Sequence, residues 1–67
     1  MALTYNQRAA MAADIIENMR EDYAKHGEED CGDWADGERH LRDDASEREL
    51  LGDLKKWCPE KTVKDYA

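Results

Sequence analysis

Residues 4–27 of the chain read TYNQRAAMAADIIENMREDYAKHG, and this stretch decides the fold. Thr4 and Gln7 have the spacing of a capping box, in which each side chain satisfies the free backbone N–H of the other residue at a helix start. Gly27 stands where a helix end favours glycine. The stretch therefore predicts one amphipathic helix over residues 5–26.

Small and apolar residues recur along this helix at alternating spacings of four and three, the heptad pattern of a helix–helix interface. The set is Tyr5, Ala9, Ala12, Ile16, Met19 and Tyr23. The two alanines permit close helix approach, and the larger side chains supply area to bury. We expect this face to pack on the second half of the chain, to form a homodimer, or to do both.

The second half of the chain allows two helical arrangements. A continuous helix over 34–57 places Leu41 nearly opposite Leu50, because an α-helix has about 3.6 residues per turn. A break between the two leucines lets both face the same core. We therefore predict two helices, at about 34–43 and 47–57, with the continuous helix as the alternative.

A local sequence signal supports this break. Ser46 and Glu49 form a second capping-box pattern immediately before an apolar pair, which predicts a new helix start. We expect a single small helical domain over 1–58 and a C-terminal tail over 59–67. One helical turn is predicted after Thr62.

The composition indicates a small acidic protein with a thin core. The chain has 67 residues, of which 17 are acidic and 10 basic, giving a net charge of −7. It has eight Leu, Ile and Val residues against nine Ala. The predicted fold class is all-α: a helical hairpin or three short helices, in which the long N-terminal helix packs on one or two C-terminal helices. A dimer would supply the missing core.

The charge and the hydropathy pattern also bear on location and ligands. A net negative charge argues against direct binding to nucleic acid or to an anionic membrane, because phosphates repel it. No apolar run has the length of a signal peptide or a membrane span. We therefore expect a cytoplasmic protein with reduced cysteines.

The residues that bear reactive side chains do not form a recognised site. His26, Cys31, His40 and Cys58 are ligand types that zinc favours, but the close Cys pair of structural zinc sites is absent. Cys31 lies among carboxylates, which disfavour a thiolate. We predict no enzyme activity, no cofactor and no metal. A zinc-stabilised module and a Cys31–Cys58 disulfide in an oxidising compartment are the alternatives.

The segment over residues 27–38, GEEDCGDWADGE, is the strongest functional signal. Six of its twelve residues are acidic and none is basic. We expect it to meet a basic surface on another protein, with Trp34 as a partner contact, because Trp is enriched at binding hot spots. The predicted partner-binding residues are Glu28, Glu29, Asp30, Asp33, Trp34, Asp36 and Glu38.

The size of the chain and the Ala-rich acidic helix over residues 8–27, RAAMAADIIENMREDYAKHG, carry a resemblance. In general character the chain resembles the small acidic accessory proteins that phages and other mobile elements encode. This resemblance implies a non-enzymatic regulator that binds and modulates a host protein. A DNA-mimic inhibitor of a nucleic-acid-binding or defence protein, and an antitoxin with a basic toxin partner, are the alternatives.

Overall fold

The structure, a computed structural model, describes residues 2–27 and 32–67. Helices account for 76% of it and these ranges contain no strand, so the predicted all-α class is confirmed. In chain order the elements are α1 (Tyr5–Lys25), α2 (Trp34–Arg39), a π-helix (His40–Asp44), α3 (Glu47–Trp57) and a 3₁₀-helix (Val63–Tyr66). The long helix α1 packs against all four of the others.

Side-chain caps set the boundaries of α1. Gln7 N donates to Thr4 Oγ1 at 3.1 Å and Thr4 N donates to Gln7 Oε1 at 2.9 Å, so the predicted capping box forms in full. At the other end Gly27 has φ +75°, a left-handed backbone conformation that glycine adopts without steric cost. The predicted helix over 5–26 is confirmed to within one residue.

The predicted break in the second half is also confirmed, and the continuous helix is wrong. Ala45 is extended and Ser46 starts a new helix, with its Oγ accepting from Glu49 N at 3.1 Å. The helix before the break is α-helical only to Arg39. It then widens into the π-helix, which ends with Ala45 N donating to His40 O at 2.7 Å.

The break allows both halves of the segment to bury apolar side chains against α1. Leu41 and Ala45 lie before it and Leu50 and Leu54 after it, and all four are buried. The core consists of Met11, Ala12, Ile15, Ile16, Leu41, Ala45, Leu50, Leu54 and Cys58. One apolar cluster therefore joins α1, the π-helix and α3.

Arg8 closes the end of the π-helix from α1. Its Nε donates to Arg42 O at 2.8 Å, and its Nη2 donates to Leu41 O at 3.3 Å and to Ala45 O. The last carbonyl groups of a helix have no partner within the helix, so an outside donor must satisfy them. The guanidinium fork supplies several donors in one plane and is suited to this role.

Other side chains join α1 and the segment before it to α3. Asn18 Nδ2 donates to Trp57 O at 2.9 Å and to Cys58 Sγ at 3.1 Å, which closes the C-terminal end of α3. At the opposite end of α3, the Glu47 carboxylate accepts from Leu3 N. The register of α1 against α3 is therefore held by polar contacts at both ends of α3.

Residues 59–67, predicted as a tail, pack back on the domain. The helical turn predicted after Thr62 is confirmed as the 3₁₀-helix, and Thr62 N donates to Asp65 Oδ2 at 2.7 Å. Val63 and Tyr66 contact the core cluster. This segment packs against α1 and increases the buried apolar area of a small core.

Replacing Arg8 with Ala is expected to lower the free energy of unfolding by about 2 kcal/mol, because helix-end carbonyls lose their charged donor. Urea denaturation followed by circular dichroism measures the change. Arg20→Ala, at an exposed position of α1, is the matched control and should cost less than about 0.5 kcal/mol. Equal losses in the two variants would contradict a capping role for Arg8.

Candidate functional site

Trp34 begins α2 and is positioned by a local cap and an aromatic contact. Asp33 is the N-cap residue, and its Oδ1 accepts from Asp36 N at 3.0 Å. The Trp34 ring meets the Tyr23 ring of α1 edge to face, with centroids 5.3 Å apart and an interplanar angle of 87°. Such a pair contributes about 1 kcal/mol beyond its buried area. Trp34 is therefore half-buried at the junction of α1 and α2.

A groove of about 390 Å³ opens between α1, α2, the π-helix and α3 beside this aromatic pair. Its apolar and aromatic lining is formed by Ile16, Met19, Tyr23, Trp34 and Leu41. Three carboxylates, Asp33, Glu49 and Asp53, also line it, and none of the described lining residues is Lys or Arg. We call this feature the acidic groove.

His40 and Glu49 connect the π-helix to α3 at the acidic groove. His40 Nε2 lies 2.7 Å from Glu49 Oε2, and both side chains are about half exposed. The Glu49 carboxylate thus pairs with His40, and the capping box predicted for Ser46 and Glu49 forms only through Ser46 Oγ. Within the described chain, the Asp53 carboxylate makes no side-chain hydrogen bond and no ion pair.

The predicted partner-binding residues divide into three groups. Asp33 and Trp34 line the acidic groove. Asp36 and Glu38 lie on α2 outside it, where Asp36 Oδ1 pairs with Arg39 Nη2 at 2.6 Å. The predictions for Glu28, Glu29 and Asp30 lie outside the described residues.

The sequence analysis did not predict that Glu49 and Asp53 line the same groove as Trp34. Their spacing of four residues, which places two carboxylates on one face of a helix, was available as a signal. Nothing in the sequence pattern indicated that this face of α3 lies opposite Trp34. That relation depends on the angle at the break between the π-helix and α3.

Some of the acidic charge in this region is compensated locally. Arg42 Nε and Nη2 donate to the two carboxylate oxygens of Asp43 at 3.0 and 2.9 Å. These hydrogen bonds from Arg42 hold the pKa of the Asp43 carboxyl below its usual range. The acidic groove, by contrast, has no Lys or Arg among its described lining residues, and its Asp53 carboxylate remains available to a cation.

The predicted heptad face is divided between the core, the acidic groove and the surface. Ala12 and Ile16 are buried, and Met19 and Tyr23 line the groove. Ala9 is half-buried. Tyr5 is 61% exposed and lies outside the core, with its ring 6.0 Å from the Arg42 guanidinium carbon.

The centre of the intramolecular contact lies at Met11 and Ile15, which are fully buried. These two residues widen the apolar face of α1 beside the heptad set, and the buried face is centred on them rather than on the heptad set itself.

The candidate metal ligands lie on different elements. His26 caps the end of α1, His40 begins the π-helix and Cys58 caps α3, whereas Cys31 lies outside the described residues. Among the residues that the structure describes, no three His, Cys, Asp or Glu side chains form a group that fits a metal ion. Burial raises the pKa of the Cys58 thiol.

A second group of titratable side chains joins α1 to the C-terminal segment. Asp14 Oδ2 accepts from Tyr66 Oη at 2.7 Å and from Lys61 Nζ at 3.0 Å. The hydrogen bond from Tyr66, with a smaller contribution from Lys61, lowers the pKa of the Asp14 carboxyl below 3.8. Burial and the bond to Asp14 raise the pKa of the Tyr66 hydroxyl.

Comparison of the chain with protein-family models, curated proteins and solved structures finds no match. None of the helices in residues 2–27 and 32–67 has both the length and the apolar content needed to cross a membrane.

The Asp14 contacts predict a specific dependence of stability on pH. Because the folded-state pKa of Asp14 is lower than the usual carboxyl pKa, its stabilisation is complete above the usual pKa and is lost as the pH falls through the lower, folded-state pKa. We expect the free energy of unfolding to fall more steeply between about pH 5 and pH 2 in the native chain than in Asp14→Asn. Urea denaturation at a series of pH values measures this dependence. If the free energy of unfolding falls with pH in parallel in the two proteins, the stabilising role of the Asp14 carboxylate is contradicted.

Proposed function

We propose that this protein is a non-enzymatic regulator that binds another protein through the acidic segment that contains Trp34. The observation that carries the proposal is the acidic groove, which combines an aromatic pair and apolar side chains with three carboxylates and has no Lys or Arg among its described lining residues. Aromatic side chains and Met are enriched at protein interfaces, and Trp and Tyr are enriched at their hot spots.

The charge distribution supports a partner with a basic surface. The net charge of −7 attracts such a surface from a distance, which speeds encounter and selects partners more than it adds affinity. Trp34 and Tyr23 would then supply the short-range contacts. The resemblance to small acidic accessory proteins implies the same kind of activity.

The test is capture of partners from lysate of the source cells on the tagged protein, with low-salt and then high-salt washes. We expect one dominant partner that salt releases, because exposed charge pairs are screened by salt. Charge reversal by E28K, E29K and D30K together should abolish its capture and leave the helical circular dichroism unchanged.

The matched control reverses three exposed carboxylates elsewhere, by E17K, D22K and E60K. It makes the same change in net charge and should retain the partner. Capture that survives E28K/E29K/D30K would defeat the proposed surface. Displacement of the partner by duplex DNA would favour the DNA-mimic alternative.

We also propose that the chain forms a homodimer through the part of the heptad face left at the surface. The supporting observation is Tyr5, a large side chain that is mostly exposed beside half-buried Ala9. Two such faces would bury each other's tyrosines, and the small Ala9 side chains would let the two helices approach closely.

Light scattering is expected to give twice the 7.7 kDa mass of the chain. Ala9→Glu should shift the mass to that of the monomer, because it places charge in the contact. Ala10→Glu, at an exposed neighbouring position, should leave the mass at that of the dimer. A native species of 7.7 kDa would rule out the dimer.

A further inference from the structure

We infer that the acidic groove receives a basic amphipathic helix of the partner protein. An apolar side chain of that helix packs against Met19, Tyr23 and Trp34, and its Lys or Arg side chains pair with Glu49 and Asp53. This inference rests on the proposed function and specifies the chemistry of the partner.

The lining of the groove fits an apolar anchor. Ile16 and Leu41 are only 6% and 5% exposed, so they form a closed floor. Met19, Tyr23 and Trp34 are half-buried and retain area to cover. A groove of about 390 Å³ lies at the small end of the range for binding pockets, which suits one or two side chains.

The charges around the groove select a basic occupant. Asp53 has no ion-pair partner within the described chain, and Glu49 is paired only with His40. Glu49 and Asp53 are one helical turn apart on α3. Basic residues one turn apart on a helix lying alongside α3 match that spacing. A second copy of this chain, with a charge of −7, would bring further negative charge to these carboxylates.

The secondary structure favours a helical occupant over an extended one. An extended peptide usually binds by adding a strand to the edge of a sheet, and the described residues contain no strand. The groove instead runs between helices, which is the arrangement in which amphipathic helices bind.

The experiment uses the fact that only one of the two tryptophans lines the groove. In a Trp57→Phe variant, Trp34 is the only source of Trp fluorescence. The probe is a synthetic Leu/Lys peptide with leucines at helical i, i+3, i+4, i+7 spacing. We expect a saturable blue shift of Trp34 emission with this peptide and none with a Leu/Glu peptide of the same pattern.

The double substitution E49Q/D53N in the Trp57→Phe background should weaken binding of the Leu/Lys peptide about tenfold. The matched control E17Q/E60Q removes the same charge at exposed positions outside the groove. It should change the affinity for the Leu/Lys peptide less than about twofold. Met19→Ala tests the apolar contact and should also weaken binding. Circular dichroism checks that each variant is folded.

Equal weakening by E49Q/D53N and E17Q/E60Q would overturn the inference in favour of nonspecific attraction. Absence of any shift with the Leu/Lys peptide would also overturn it. A shift that appears without peptide as protein concentration rises would assign the groove to a second copy of the chain. In each case the capture experiment with E28K/E29K/D30K still decides the proposed function separately.

Discussion

The Arg8 guanidinium is the contact on which the arrangement of the other elements depends. It reaches from α1 to three carbonyl oxygens around the end of the π-helix. Without these bonds, polar backbone groups at a helix end next to the core would lack a partner, which is costly. With them, the chain ends one helix at Asp44 and starts another at Glu47, and both sides of the break bury leucines on α1.

The same use of polar side chains recurs along α1. Asn18 closes the end of α3, and Asp14 holds Lys61 and Tyr66 of the C-terminal segment. A chain with so few large aliphatic residues gains less from apolar burial than most domains of its size. Hydrogen bonds from one long helix to the ends of the shorter elements give this small core a defined geometry.

The acidic groove is a consequence of that geometry. Its walls come from α1, α2, the π-helix and α3, and no single element contains enough of it to form a site. Local pairing compensates part of the acidic charge, as at Asp36 and Asp43, whereas Asp53 in the groove is left without a pair in the described chain. The acidic groove therefore differs from the neighbouring acidic surface in having a carboxylate that no basic side chain of the described chain pairs with, and not in its total charge.

Sequence alone determined the start and end of α1 and the start of α3, because capping boxes, a terminal glycine and apolar periodicity act within a few residues of one another. The change from α-helix to π-helix at His40 was not predicted. Thr4–Gln7, the start at Ser46 and the turn after Thr62 were all predictable on this basis. The position of Trp34 among Tyr23, Glu49 and Asp53, and the division of the heptad face between the core, the acidic groove and the surface, were not. These relations join residues far apart in the chain. Only tertiary packing, with Arg8 closing the π-helix, selects the angle at the break that brings them together.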